Sequence, residues 1–163
     1  MPDSLSDGRV RVSWVTTIAS GGSAPTAAEL TAGIALQAFM TPDGVVGFEP
    51  ETADVDVSAL DSLFDTKIAG RGSFSGTLLR LKKQNDNPTA DTIYNTLVRD
   101  LIGYIVIRRD LPVTTAYIAA QKVEVYPSVL GEVRNLPPES NSVHKYEVPV
   151  KISSTPFLRA TVA

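Results

Sequence analysis

The stretch LVRDLIGYIVIRRD, residues 97–110, passes from a helix-like pattern into a nearly unbroken apolar run and ends on two arginines and an aspartate. Leu97 and Leu101 are four residues apart, a spacing that places both side chains on one side of a helix. The run YIVI at 104–107 is aromatic and β-branched, which is typical of a central strand. The stretch therefore predicts a docked helix, a turn at Gly103 and a core strand.

The helix is expected to begin upstream of this stretch. Asn87 suits the position that caps a helix, and Pro88 suits the first helical position. Ile93 continues the apolar side, and the whole pattern predicts one helix at about 88–102. A helix this short is marginal in water by itself, whereas burying each apolar side chain contributes about 1.5–3 kcal/mol. We therefore expect it to flank a larger body and to depend on packing against it.

Alternating apolar and polar residues predict that most of the remaining chain is β-structure. The stretch VRVSWVTTI at 10–18 and the stretch HKYEVPVKI at 144–152 both alternate as half-buried strands do. Pro149 lacks an N–H, which predicts an edge position or a local break in the second stretch. The composition of TPDG at 41–44 predicts a hairpin tip. Further strands are predicted at 54–57, 65–69, 73–83, 121–133 and 157–162.

Length and composition indicate an ordinary globular chain. Its 163 residues are 43% hydrophobic and 20% charged, so we expect a flexible N-terminal arm at 1–9 and a single domain at 10–163. The net charge of −3 gives no electrostatic reason for general nucleic-acid binding. The chain has no cysteine, which is compatible with a reducing cytoplasm, and no apolar run approaches the roughly 20 residues of a membrane span.

The residues that carry chemistry form no recognisable catalytic, cofactor or metal site. His144 is the only histidine, and its neighbours in the sequence include no carboxylate to orient it. The densest acidic group lies at 54–65, but its spacing does not match a calcium-binding loop. The glycines of GRGSFSG at 70–76 match no phosphate-binding motif. We therefore expect a protein that is not an enzyme, although a carboxylate-dependent hydrolase stays open as an alternative.

Long stretches of the sequence resemble one family of structural proteins. They are DVSALDSLFDTKIAGRGSFSGTLLRLKKQNDNPTADTIYNTLVRDLIGYIVIRRD, then AYIAAQKVEVYPSVLGEVRNLPPESNSVHKYEVPVKI, and the terminal LRATVA. This pattern over residues 10–163 is similar to the major tail tube proteins of bacteriophages with long, non-contractile tails, particularly those of actinobacterial hosts. The resemblance implies a mainly β (α+β) fold, namely a β-sandwich or barrel-like body with one flanking helix and long loops.

The resemblance also implies a function and a set of partners. Six subunits would form a ring, and rings would stack into a hollow tube through which genomic DNA passes into the host without specific binding. The expected partners are further copies of the chain, the tape measure protein and other tail proteins, with no cofactor and no membrane insertion. The expected location is the virion tail, after assembly in the host cytoplasm. The alternatives are a related ring protein (a tail terminator or a contractile injection tube) or a monomeric β-sandwich binding module.

Two groups of charged residues are candidates for roles in such an assembly. Arg108, Arg109 and Asp110 follow a buried strand where it is expected to reach the surface, so they are candidate subunit-interface residues. The N-terminal arm and the regions at 20–48 and 135–142 are candidates for contacts between rings. The candidate lumen-lining residues are Glu49, Glu51, Asp54 and Asp56.

Overall fold

A computed structural model describes residues 3–85 and 90–163. Within these residues the fold is mainly β, as expected, with a curled antiparallel sheet that forms a half-barrel and two short helices. The elements are β1 (Arg11–Val15), α1 (Ala27–Ala32), β2 (Ile34–Ala35), β3 (Met40–Val46), β4 (Glu51–Asp56), β5 (Lys67–Ser73), β6 (Leu78–Lys82), α2 (Thr92–Thr96), β7 (Ile102–Arg108), β8 (Lys122–Leu130), β9 (Arg134–Asn135), β10 (Lys145–Ile152) and β11 (Phe157–Thr161).

The strands form two separate sheets. The larger sheet has nine strands in the order β2-β1-β7-β8-β10-β6-β3, with β11 paired to β8 and β9 paired to β10. All of its pairings are antiparallel. The strands β4 and β5 pair only with each other among the described residues, as a two-stranded hairpin. The chain therefore consists of a β-body and a hairpin that is not part of its sheet.

The unbroken apolar run of β7 is explained by burial on both faces of the sheet. Ile105 and Ile107 point into one hydrophobic cluster, which also contains Trp14. Val106 points to the opposite face, where a second cluster includes Leu30 of α1. A strand that is covered on both faces needs apolar residues at successive positions, so the sequence shows no alternation there.

The helix predicted at about 88–102 is wrong in its extent. Its predicted start, Asn87 and Pro88, lies outside the described residues, and α2 covers only Thr92–Thr96. The side chain of Asp91 caps it by accepting a hydrogen bond from the N–H of Tyr94 at 3.1 Å. The residues after α2 form a turn and then β7, so a short helix replaces the long one.

Gly103 is a strand residue and not the expected turn. A Cβ atom at this position would lie 2.6 Å from Cζ2 of Trp14 and 2.8 Å from the carbonyl oxygen of Val15. The glycine therefore permits the close approach of β7 to the tryptophan ring. The turn lies earlier, at Asp100, which adopts a positive φ of 64°. The sequence pattern placed the chain reversal three residues too late.

Two other local predictions have different outcomes. The spacing of Thr26 and Glu29 predicts a capping box, and α1 begins with one. Thr26 Oγ1 accepts a hydrogen bond from the N–H of Glu29, and the Glu29 carboxylate accepts one from the N–H of Thr26.

The hairpin tip predicted at TPDG is wrong, because these residues lie within β3. The register shift between Met40 and Val45 shows a bulge there, which accommodates Pro42 inside the strand.

Pro149 lies where β10 changes its neighbour in the sheet. Up to Pro149 this strand pairs with β6, and from Val150 onward it pairs with β8. The sequence predicted an edge position or a break, and the structure has a change of partner within an interior strand. The missing N–H is tolerated because the ladder is interrupted at this residue.

The packing of Leu97 gives a direct test of the core. Leu97 is fully buried, whereas its neighbour Val98 is about half exposed. We expect Leu97→Ala to lower the free energy of unfolding by about 2–5 kcal/mol, since it leaves a cavity in the main cluster. The matched change Val98→Ala should alter it by less than about 0.5 kcal/mol. Urea denaturation of both variants measures this, and equal losses would contradict the packing described.

Candidate assembly surfaces

The strand end at Arg108–Asp110 contains one buried and two exposed residues. Arg108 is fully buried, and its guanidinium donates to the carbonyl oxygens of Pro112 at 2.9 Å and Ala116 at 3.3 Å. It also donates to Oε1 of Gln121 at 3.1 Å. These contacts fold the segment after β7 back over the strand. Arg108 therefore stabilises the subunit internally and offers no surface to the subunit contact predicted for it.

The surroundings of Arg108 explain how a buried cation is tolerated. Arg11 lies directly across from it on β1, and both guanidinium groups stack on the ring of Tyr117, at 4.3 Å for Arg11 and 5.1 Å for Arg108. Burial lowers the pKa of Arg108, and the nearby charge of Arg11 acts in the same direction. The aromatic face and the carbonyl oxygens supply the compensating negative potential.

Arg109 and Asp110 are exposed and remain candidates for contacts between subunits. Arg109 forms a two-point ion pair with Glu124, with distances of 3.0 Å from Nε to Oε1 and 3.2 Å from Nη2 to Oε2. This hydrogen bonding raises the pKa of Arg109. The carbonyl oxygen of Asp110 accepts a hydrogen bond from Arg9 at 3.1 Å, and so the N-terminal segment contacts this strand end.

The hairpin of β4 and β5 is the most exposed part of the described chain. We call residues 49–73 the arm. Val55 and Ile68 pair across it and share one face, whereas Asp54 and Lys67 lie on the other face and form an ion pair at 3.1 Å. Every residue of β4 is exposed. The arm therefore has one apolar face and one charged face, and the subunit covers neither.

The loop at the end of the arm carries the three large apolar residues with the highest fractional exposure among the described residues. Leu60 is 106% exposed, Leu63 is 93% exposed and Phe64 is 81% exposed relative to the free residue. This surface could not be predicted from hydrophobic periodicity, because its apolar residues follow neither a strand nor a helix period. Its signal was compositional: leucine and phenylalanine stand among aspartates and serines in a segment without predicted structure.

The four candidate lumen-lining carboxylates all lie on the arm. Glu49 precedes β4, Glu51 begins it, and Asp54 and Asp56 share its charged face. All four side chains are exposed. They therefore lie close together on an exposed hairpin that is not part of the sheet of the body.

Comparisons with known proteins assign the chain to a family. The family model described as phage tail tube protein matches residues 1–163. The chain belongs to the phage tail tube protein family. A solved structure titled as the anti-feeding prophage baseplate, 6-fold symmetrised, contains a chain of similar fold, with a TM-score of 0.59 and 10% sequence identity over 94% of this chain and 95% of that one. A search of curated proteins gives no match.

The tail tube family is one of structural virion proteins and not of enzymes. Among the described residues, no three His, Cys, Asp or Glu side chains are grouped so that they could hold a metal ion. The described part of the chain also has no helix with the length and apolar character required to cross a membrane.

The two adjacent arginines can be separated by experiment. Arg108→Ala should lower the free energy of unfolding by about 1–3 kcal/mol, because it removes the donor to the buried Oε1 of Gln121 and to the carbonyl oxygen of Pro112. Arg109→Ala should change it by no more than about 1 kcal/mol, since its ion pair is exposed. Thermal unfolding of both variants measures the difference. The assignment of roles fails if Arg109→Ala is the more damaging of the two.

Proposed function

We propose that six copies of the chain form a ring and that the rings stack into a hollow phage tail tube through which DNA leaves the virion. The observation that carries this proposal is the match of the phage tail tube family over the whole chain. The similar fold in a 6-fold symmetrised baseplate supports six as the number of subunits. This similarity of fold leaves two related functions as alternatives, namely a contractile injection tube and a tail terminator.

The fold provides edges through which neighbouring subunits could pair. Among the described residues, the nine-stranded sheet ends at β2 and β3, and each of these strands has one neighbour in it. An unpaired strand edge exposes N–H and C=O groups that another chain can bind. Contacts that close by rotation give a ring, and contacts that do not close build a filament along the axis. Both kinds of contact are needed for a tube.

The charge distribution fits a conduit that does not retain DNA. Glu49, Glu51, Asp54 and Asp56 would line the lumen, where carboxylates repel phosphate and make few lasting contacts. Arg109 and Asp110 would contribute to the contact between neighbouring subunits. The tape measure protein and other tail proteins would be the remaining partners, in a virion tail that assembles in the host cytoplasm.

Electron microscopy of the purified protein tests the proposal. We expect negative-stain images to show rings and tubes of uniform diameter, with sixfold symmetry in end views. Sedimentation over a range of concentrations should show growth from small species to polymers. A chain that stays monomeric at all concentrations, with tail assembly partners added, would contradict the proposed function.

The absence of cysteine allows a clean test of the lumen. We expect Asp54→Cys in assembled tubes to react with a small maleimide but not with a maleimide on a bulky polymer, because the polymer cannot enter the tube. The same variant in its monomeric form should react with both reagents. Mass spectrometry of the labelled chains measures this, and fast reaction of the tube with the bulky reagent would place Asp54 on the outside.

A further inference from the structure

We propose that Tyr126 positions the arm on the body, and that the ion pair of Arg109 with Glu124 keeps the tyrosine hydroxyl available for that role. Tyr126 lies on β8, in the body, and contacts the residues on both sides of the arm. The positioning acts within a single subunit. It therefore goes beyond the proposed function and can be tested without rings or tubes.

The arm joins the body at one place. Gly47 and Gly76 lie just outside its two ends, and a Cβ atom on Gly47 would lie 2.7 Å from the carbonyl oxygen of Gly76. Both glycines have a positive φ, of 75° and 65°, which glycine adopts without steric cost. Because glycine backbone is also flexible, these two residues by themselves do not fix the direction in which the arm extends.

The rest of the arm is not bonded to the body. Among the described residues, no hydrogen bond or ion pair joins residues 49–73 to the remainder of the chain. A cleft of about 510 Å³ is lined by Pro50 and Ser73 at the base of the arm and by Lys151 and Ile152 at the end of β10. The arm therefore has room to change its direction unless its two ends are held.

The side chain of Tyr126 contacts both ends of the arm. Its ring packs edge to face with the ring of Phe48, directly before the arm, at 5.0 Å between centroids and an angle of 79°. It packs in the same way with Phe74, directly after the arm, at 6.0 Å and 82°. Such contacts are favourable and directional. One side chain of the body therefore fixes the chain at both ends of the arm.

The hydroxyl group of Tyr126 has one proton and two acceptors within reach. It lies 3.3 Å from the carbonyl oxygen of Phe48 and 3.0 Å from Oε2 of Glu124. Burial raises the pKa of this hydroxyl, and the charge of Glu124 acts in the same direction, so the proton is retained. Since a hydroxyl donates one hydrogen, the carbonyl oxygen of Phe48 competes with the carboxylate of Glu124 for it.

Arg109 weakens the carboxylate as a competitor. It donates to both oxygens of Glu124, at 3.0 Å and 3.2 Å, and so offsets the negative charge. Without Arg109 the carboxylate would be the stronger acceptor, and the carbonyl oxygen of Phe48 has no other donor among the described residues. A contact that withdraws Arg109 would therefore release one end of the arm. Because Arg109 is the candidate subunit-interface residue, this consequence rests on the proposed function.

Distance measurements between two spin labels test the positioning. The chain has no cysteine, so Thr66→Cys on the arm and Ala28→Cys on α1, both exposed positions, provide the only labelling sites. Labelled chains are diluted in unlabelled chains, so that double electron–electron resonance reports distances within one subunit. We expect Tyr126→Phe to widen the distance distribution about twofold, because the carbonyl oxygen of Phe48 loses its donor and the arm samples more directions.

The matched control is Tyr146→Phe. Tyr146 belongs to the same hydrophobic cluster, and its buried hydroxyl has no hydrogen-bond partner in the part of the chain that the structure describes. The control removes the same atom from the core without removing a hydrogen bond, so the distance distribution should not change. An unchanged distribution in Tyr126→Phe, or equal widening in Tyr146→Phe, would overturn the role of Tyr126.

Two further variants test the role of the ion pair. Arg109→Ala and Glu124→Ala break the same ion pair, but we expect opposite results. Arg109→Ala should widen the distribution, because the carboxylate then takes the proton. Glu124→Ala should leave it narrow, because Phe48 is then the only acceptor, and the double variant should be narrow as well. Equal widening by the two single variants would overturn the role of Arg109. Failure of the wild-type chain to form tubes would contradict the proposed function and leave these distances valid.

Discussion

The burial of β7 on both faces is the constraint on which the rest of this structure depends. A strand covered on both sides needs two separate layers of packing, and the chain supplies them from different regions. The half-barrel closes over the face with Ile105 and Ile107, while α1 and β11 lie over the face with Val106. Strand β7 is thus held by residues from nearly every part of the body. This arrangement explains why short helices suffice, since they fill gaps between layers and do not form a layer themselves.

The same constraint separates the parts of the chain that stabilise the subunit from those that are free to bind other molecules. Arg108 belongs to the first group, because carbonyl oxygens and the ring of Tyr117 stabilise its charge within the subunit. Arg109 belongs to the second, since its partner Glu124 is also accessible. Adjacent identical residues thus have different roles, and the difference follows from the alternation of side chains along a strand.

Much of the fold could be predicted from sequence, and the errors have a common physical cause. Strong alternation identified β1 and β10, and apolar density identified β7 and β8. The prediction of a long helix failed because Ile93, Leu97 and Leu101 pack on one cluster from three different local structures. Ile93 lies in α2, Leu97 follows its end, and Leu101 directly precedes β7. The prediction of a hairpin tip at TPDG failed because a bulge and a turn require similar residues.

The candidate site was less accessible to sequence analysis. Grouping of the carboxylates at Glu49–Asp56 could be inferred from their proximity in the chain. The burial of Arg108 could not, because it depends on a return of the chain at Pro112–Gln121 that has no local signature. The apolar tip of the arm could not be predicted either, because its exposed residues follow neither a strand nor a helix period.

The position of the single tryptophan has a practical consequence. Trp14 is almost completely enclosed in the body, against Gly103, and the arm is a separate element. Its emission reports the integrity of the core, while scattered light reports particle size. One cuvette can thus follow folding and polymer growth as independent signals, and a defect in either process can be assigned without labelling the protein.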